Sequence, residues 1–356
     1  MKVEKNIVKD QLILGAKSSL DKPAYLQEDK RFKHLLVLGT KGSGKSDILL
    51  PALLKQDIEN KKVGTTVFVS DRESAMMMYS LAKRNNREVR LVKPSLTHAG
   101  KSIINMDAYC YRTIQENVID FEMAIRKKEV VIVDLEFEHN QEASIRGSAF
   151  LLTAMREAYL KENEDKSTPH FLYVDDSHIY MSYITPILFR GGEYSIGCTL
   201  FLESRGLLTE EQMSYVDAYI RNRVYLSGLT MEDATYVSQE VYEREIMYIL
   251  NRDAYEFIYM MLDARGKRIS GVAKLKPLDA DLVDSLRISV PRHRGNVLRS
   301  EEETAGKSPT PEEVYTPNPP KQPNSVSNHL AAKVIKTVKQ DVKRHIVVLD
   351  NIDDEF

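Results

Sequence analysis

The sequence predicts an α/β fold with a mainly parallel sheet flanked by helices, on three observations. Short apolar runs alternate with helical stretches between Leu12 and Arg292, most of these runs are apolar throughout, and a glycine-rich turn joins one of them to the helix that follows. A run that is apolar at every position is buried on both faces, the condition of a strand in a parallel sheet covered by helices. In chain order the strands are HLLVL at 34–38, TTVFVS at 65–70, VRL at 89–91, VVIVD at 130–134, HFLYV at 170–174, CTLFL at 198–202, VYL at 224–226 and EFIYM at 256–260. Helices are expected at 45–59, 73–84, 141–161 and 231–239, where apolar residues recur at helical spacing.

Composition agrees with a globular chain. The 356 residues are 42% hydrophobic and 29% charged, enough chain for one large α/β domain or two smaller ones. Fifty basic against 52 acidic residues leave a net charge of −2, so global charge argues neither for nor against nucleic acid. Cys110 and Cys198 are too few for a disulfide framework, and the eight histidines form no zinc pattern. No run reaches the roughly 18 apolar residues of a membrane span, and no apolar signal core is visible. The expected setting is cytoplasmic, with a membrane reached only through a partner.

Near residue 294 the composition changes. From Arg294 to Asn328 proline, serine and charge replace periodic apolar residues, as in a disordered linker. Beyond it Leu330, Val334, Val338 and Val342 fall at helical spacing among lysines. The expected organisation is therefore a domain at 1–293, a linker at 294–329 and a tail at 330–356. That tail is either loosely helical or a docking segment for a partner.

The strongest chemical signal is Gly39-Thr40-Lys41-Gly42-Ser43-Gly44-Lys45-Ser46, which fits GxxxxGK[ST] and lies between an apolar strand and a helix. Glycines let successive backbone N–H groups turn toward phosphates at the positive end of a helix. Lys45 would reach the β- and γ-phosphates and the Ser46 hydroxyl would ligate Mg2+, so this Walker A pattern predicts a P-loop NTPase of the RecA-like kind, binding ATP. A second Gly306-Lys307-Ser308 has no strand before it and is a coincidence.

Such a loop needs acids on a neighbouring strand. His170–Val174 runs into Asp175 and Asp176; Asp175 suits the magnesium shell and Asp176 the activation of water, although one methylene shorter than the usual glutamate. A competing strand ends in Asp134 and Glu136 but lacks the adjacent pair. Tyr-Val-Asp-Asp also mimics a polymerase metal hairpin, without any other polymerase feature. Downstream, Arg190 in a loop, an apolar strand and Glu203-Ser204 at its tip have the layout of a γ-phosphate sensor beside the phosphate loop. Glu203 is either that sensor or an ordinary strand-end acid. Arg190 is either an arginine finger acting across a subunit boundary or half of a surface salt bridge, and Arg205, Arg221 and Arg223 are alternatives for the finger. The basic clusters Arg126–Lys128 and Lys83-Arg84 with Arg87 read as solvated faces, and most of the 18 tyrosines as packing.

These residues, with Ile13-Leu-Gly-Ala-Lys-Ser, Lys22-Pro-Ala-Tyr, Leu50-Pro-Ala-Leu-Leu-Lys-Gln-Asp-Ile, Val67–Glu73, Ser102-Ile-Ile-Asn105 and Arg221-Asn222-Arg223, resemble the motor domain of conjugative coupling proteins. These are the TraG/TraD-like ATPases of type IV secretion, kin to FtsK and HerA. The resemblance covers Leu12 to Leu278. It implies an ATP-driven hexameric ring that pumps DNA, with a relaxase or secretion channel as further partners. Asp176 stands where the family has glutamate, Glu203 where it has glutamine, and Arg72 where it has proline; proline is also absent after Asn105. The family's N-terminal membrane helices are not seen, and there is no room for a large helical insertion. These departures leave a second reading, a protein that binds ATP with little turnover and serves as a docking platform. A packaging or protein-export ATPase is a third.

Overall fold

The computed structural model describes residues 11–17, 23–96, 109–113, 120–135, 141–162, 168–241 and 245–288. The expected linker and tail lie outside them, as do Ser102–Asn105. The strands are β1 (Gln11–Lys17), β2 (Pro23–Gln27), β3 (Leu35–Leu38), β4 (Gly64–Val69), β5 (Val89–Leu96), β6 (Tyr109–Thr113), β7 (Val130–Asp134), β8 (His170–Val174), β9 (Ile196–Leu202), β10 (Asn222–Leu226), β11 (Glu256–Leu262) and β12 (Arg268–Lys274). They form one sheet in the order β2-β1-β12-β11-β10-β3-β9-β8-β4-β7-β5-β6. The seven strands from β10 to β5 are parallel; β6 at one edge and β11, β12, β1 and β2 at the other pair antiparallel.

The helices are α1 (Glu28–Arg31), α2 (Leu50–Glu59), α3 (Arg72–Arg84), α4 (Phe121–Arg126), α5 (Gln141–Glu162), α6 (Met181–Arg190), α7 (Glu210–Tyr219), α8 (Met231–Glu240), α9 (Ile246–Leu250) and α10 (Ala280–Ile288). The helix expected at 45–59 opens with a wider turn over Lys45–Leu49, in which the Leu49 N–H reaches back to Gly44 O at 2.9 Å. Every residue of β3, β7, β8, β9 and β10 is buried. Leu35 and Val37 share one core with Leu50, Leu53, Leu54 and Met78 of α2 and α3, while Leu36 and Leu38, on the opposite face, are equally buried. Among the described residues no helix is long and apolar enough to cross a membrane.

Side-chain ties fix the central strands. Arg31 donates to both carboxylate oxygens of Asp57 at 2.7 and 2.6 Å, and Tyr173 OH donates to Asp57 at 2.5 Å. The Arg31 guanidinium lies 3.2 Å over the Phe171 ring, so one buried charge pair joins α1, α2 and β8. Asn222 starts β10 and is fully buried; its amide donates to Lys30 O and His34 O and its carbonyl accepts from Leu262 N–H. Arg87, expected on a solvated face, is instead buried and donates to the carbonyls of Asp57, Ile58, Asn60, Val63 and Lys128. A guanidinium carries five N–H groups in a fixed fork, which suits a site where several chain turns converge.

Two histidines are buried as neutral rings. His34, with φ of 59°, accepts from Cys198 N–H and faces Leu188 O at 3.0 Å; burial, with the charge of Lys33, lowers its pKa to about 4. His170 pairs with the Thr66 hydroxyl at 2.9 Å, and burial, with the charge of Arg87, lowers it to about 3. A depressed pKa gives stability that is full above the unfolded value near 6.5 and is lost as pH falls through the folded value. Lowering the pH from 7.5 to 5 should therefore cost the wild type about 2 kcal/mol more than it costs His34→Asn. Urea unfolding at the two pH values measures this, and equal losses would disprove the neutral buried ring.

Candidate functional site

The GxxxxGK[ST] segment follows β3 and crosses the carboxyl edge of the sheet. Gly39 N–H donates to Leu202 O at the end of β9, and a Cβ at Gly39 would sit 2.7 Å from Ser43 Oγ and 2.8 Å from Leu226 Cβ. The loop turns through Gly42 and Gly44, at φ of 79° and 90°, where other residues are strained. Thr40 Oγ1 donates to Gly228 O at 2.7 Å, fastening the loop to the turn after β10. Lys41 and Gly42 are exposed. Lys45 Nζ donates to Gly39 O at 2.5 Å and Thr40 O at 3.0 Å; burial lowers its pKa, against the pull of Asp175, Glu203, Asp176 and Asp47. Ser43 Oγ is buried without a hydrogen-bond partner among the described residues. An orphaned hydroxyl, backbone N–H groups at a helix start and an ammonium form a cradle whose donors suit phosphate.

The order β3-β9-β8 brings the expected acids to this cradle. Asp175 follows β8, donates its N–H to Phe68 O, and its carboxylate is hydrogen-bonded to Ser46. Burial, with the neighbouring Asp176 charge, raises its pKa to about 6, opposed by Ser46, the Asp176 N–H and Lys45. A serine hydroxyl and a carboxylate in contact are the hard oxygen ligands that Mg2+ takes, its remaining positions going to phosphate and water. Asp176 is left-handed, with φ of 47°, and its Oδ2 accepts from Ser70 Oγ at 2.8 Å. Glu203 directly follows β9, the strand beside the phosphate loop, and is half-buried and close enough to act on Lys45 and His178. Asp134 ends β7, four strands from β3 and hence about 19 Å away. There it pairs with Arg72 at 3.5 Å.

Arg190 is placed differently from its expectation. It closes helix α6 and does not lie in a loop; it faces Glu193 at 3.6 Å and donates to Tyr194 OH at 2.6 Å. It precedes β9, so the whole strand, about 20 Å, separates it from the phosphate loop of its own chain. Of the alternatives, Arg205 and Arg223 are buried in a network with Asp217 and Tyr236 that engages their guanidinium groups inside the domain. Arg221 is exposed and, with Lys33, Phe189 and Tyr219, lines a cleft of about 520 Å³ at the same far edge as Arg190.

Two residues at the site carried no expectation. Ser70, one residue beyond β4, was read only as a strand end, and nothing in its own position signals that β4 will lie beside β8. His178, two residues past the acid pair, is drawn toward protonation by Asp176 and Glu203, though burial outweighs them and lowers its pKa. Its place so soon after two acids was a signal that local sequence did offer.

No protein-family model matches the chain, and no curated protein is significantly similar to it. Solved structures are. The plasmid coupling protein TrwB in complex with ADP and Mg2+ superposes with a TM-score of 0.54 at 12% identity, over 74% of this chain and 89% of that one. The unbound monoclinic form of the bacterial conjugative coupling protein TrwBdeltaN70 gives 0.52 at 12% identity, over 76% and 89%. The genome packaging NTPase B204 of Sulfolobus turreted icosahedral virus 2, in complex with ATP-gammaS, gives 0.42 at 11% identity, over 70% and 99%. The chain thus has the fold of the coupling-protein motor domain, the fold its sequence resemblance implies.

Proposed function

We propose that this chain is an ATP-hydrolysing motor that moves DNA through a ring of identical subunits, a reading carried by one observation: the phosphate cradle at Gly39–Ser46 meets Asp175, Asp176 and Glu203 at one edge of the sheet. TrwB, with the same fold, was crystallised with ADP and Mg2+. Lys45 neutralises the β- and γ-phosphates, and Ser46 and Asp175 would hold a magnesium ion, which would supply charge shielding to the phosphates. Asp176 orients or deprotonates the attacking water, and Glu203 holds that water from the neighbouring strand. Arg190 or Arg221, on the far edge of the sheet, can act only on the site of a neighbouring subunit. The motor works in the cytoplasm, and the tail recruits a relaxase or channel.

One observation favours the second reading, an ATP-binding platform with slow turnover. Asp176 is tethered by Ser70 and has a shorter reach than glutamate. Steady-state ATP hydrolysis with and without single- and double-stranded DNA tests both. A motor gives DNA-stimulated turnover, and Asp176→Glu raises it about tenfold by extending the base toward water. Nucleotide binding with no response to DNA, in wild type and variant alike, would leave only the platform.

A further inference from the structure

We infer that Tyr255 is the platform on which the base of the bound nucleotide stacks, an inference that rests on the ATP reading above. The sheet order gives the direction. The acids at the γ-phosphate end, Asp175 and Glu203, follow β8 and β9 on one side of β3, so the rest of the nucleotide extends to the other side, toward β10, β11 and β12. Because β11 runs antiparallel to β10, with Leu226 opposite Phe257, its beginning lies at the phosphate-loop edge. The end of β12 lies there too, with Lys274 opposite Glu256. Tyr255, just before β11, and Leu275, just after β12, are joined by a Leu275 N–H to Tyr255 O bond of 2.8 Å. Both side chains reach the loop: a Cβ at Gly44 would lie 3.0 Å from Leu275 Cδ1 and 3.3 Å from Tyr255 Cδ1.

The conformation of Tyr255 needs a reason. It is the third residue of a turn closed by Glu256 N–H to Asp253 O, at φ of 65°, a position that favours glycine or asparagine. An aromatic ring held there is not accounted for by the core, since 44% of the residue is exposed. Strain kept at an exposed aromatic beside a phosphate cradle points to a ligand with an aromatic face, and a nucleobase is the part of ATP that has one. The buried Leu275 reaches the same glycine and adds an apolar side chain to this flank of the loop. Arg252 donates to Leu226 O at 2.6 Å and holds the turn against β10.

Calorimetric titration of the full chain with Mg-ATP and, separately, with magnesium tripolyphosphate tests this. Tripolyphosphate fills the cradle but has no base. Tyr255→Ala should weaken ATP about tenfold, leave tripolyphosphate unchanged, and be rescued in Tyr255→Phe. Tyr255→Gly should also lose ATP affinity while its melting temperature equals or exceeds that of wild type, because glycine relieves the backbone. An ATP affinity for Tyr255→Ala within twofold of wild type would overturn the inference. So would a parallel loss of ATP and tripolyphosphate, which would make Tyr255 a prop for the loop. A wild-type chain that binds neither compound would bring down the ATP reading itself, a failure distinct from these two.

Discussion

Lys45→Ala should lower ATP turnover by at least about 100-fold, the usual effect of removing one preorganised charge from a transferring phosphoryl group. The side chain is already desolvated, so its ammonium acts with little screening, and it is held over the loop by Gly39 O and Thr40 O. Its loss also unbalances the resting site. Asp175, Asp176 and Glu203 all act on Lys45, and without it their mutual repulsion grows. The Asp175 carboxyl, already raised to about 6 by burial and by Asp176, should rise further. A raised carboxyl favours the fold at low pH, with the gain fully present below its unfolded value near 3.8 and lost as pH rises through about 6. The variant should therefore show this loss at a higher pH than wild type. Steady-state hydrolysis beside urea unfolding across pH 4 to 8 separates the two effects. A variant that keeps wild-type turnover would show that Lys45 does not face the transferred phosphate.

Asp57→Ala should destabilise the fold by about 3–5 kcal/mol, because it leaves the Arg31 guanidinium buried and uncompensated. For a domain of this size that amounts to a fall in melting temperature of about 10 °C. Arg31 keeps its stacking on Phe171 and its bond to Tyr173 OH, but neither supplies a negative charge. The double variant Arg31→Met, Asp57→Leu should recover much of the loss, since apolar side chains of similar volume carry no desolvation penalty. Thermal melts of the two variants check this. A double variant no more stable than Asp57→Ala would place the cost in packing rather than in the unpaired charge.

Much of the architecture was legible because burial and periodicity are local. Eight of the parallel and flanking strands show themselves as apolar runs, and the phosphate loop is a contiguous motif with its strand and helix in place. What escaped was set by partners distant in the sequence. β12 reads Arg-Ile-Ser-Gly-Val-Ala-Lys and is largely exposed, so its antiparallel pairing to β11 and β1, not its own pattern, makes it a strand. Helix α7 carries a local signal, the capping box of Thr209 and Gln212, but no long apolar stripe follows it to mark a helix. Nothing in the local sequence of Asp57 and Arg31 marks them as buried, and Arg87 reads as one of a basic cluster; each is buried by chain segments distant in the sequence. At the site the acids were visible and their supports were not. Asp175 and Asp176 end an apolar run, whereas Ser70 and Tyr255 acquire meaning only from the order of strands.

Arg87 has a wider effect than its place in one corner suggests. The carbonyls it gathers belong to the last turn of α2, the α2–β4 turn and the turn before β7, with Val63 and Lys128 about 65 residues apart in sequence. Opening either turn leaves part of this buried guanidinium without acceptors, so each turn is held in place partly by the charge that the other also solvates. The helix that leaves the phosphate loop is therefore anchored at its far end to the side of the sheet away from the nucleotide. A displacement of the phosphate loop along α2 would therefore have to break or drag the bonds that Arg87 makes at the helix's last turn.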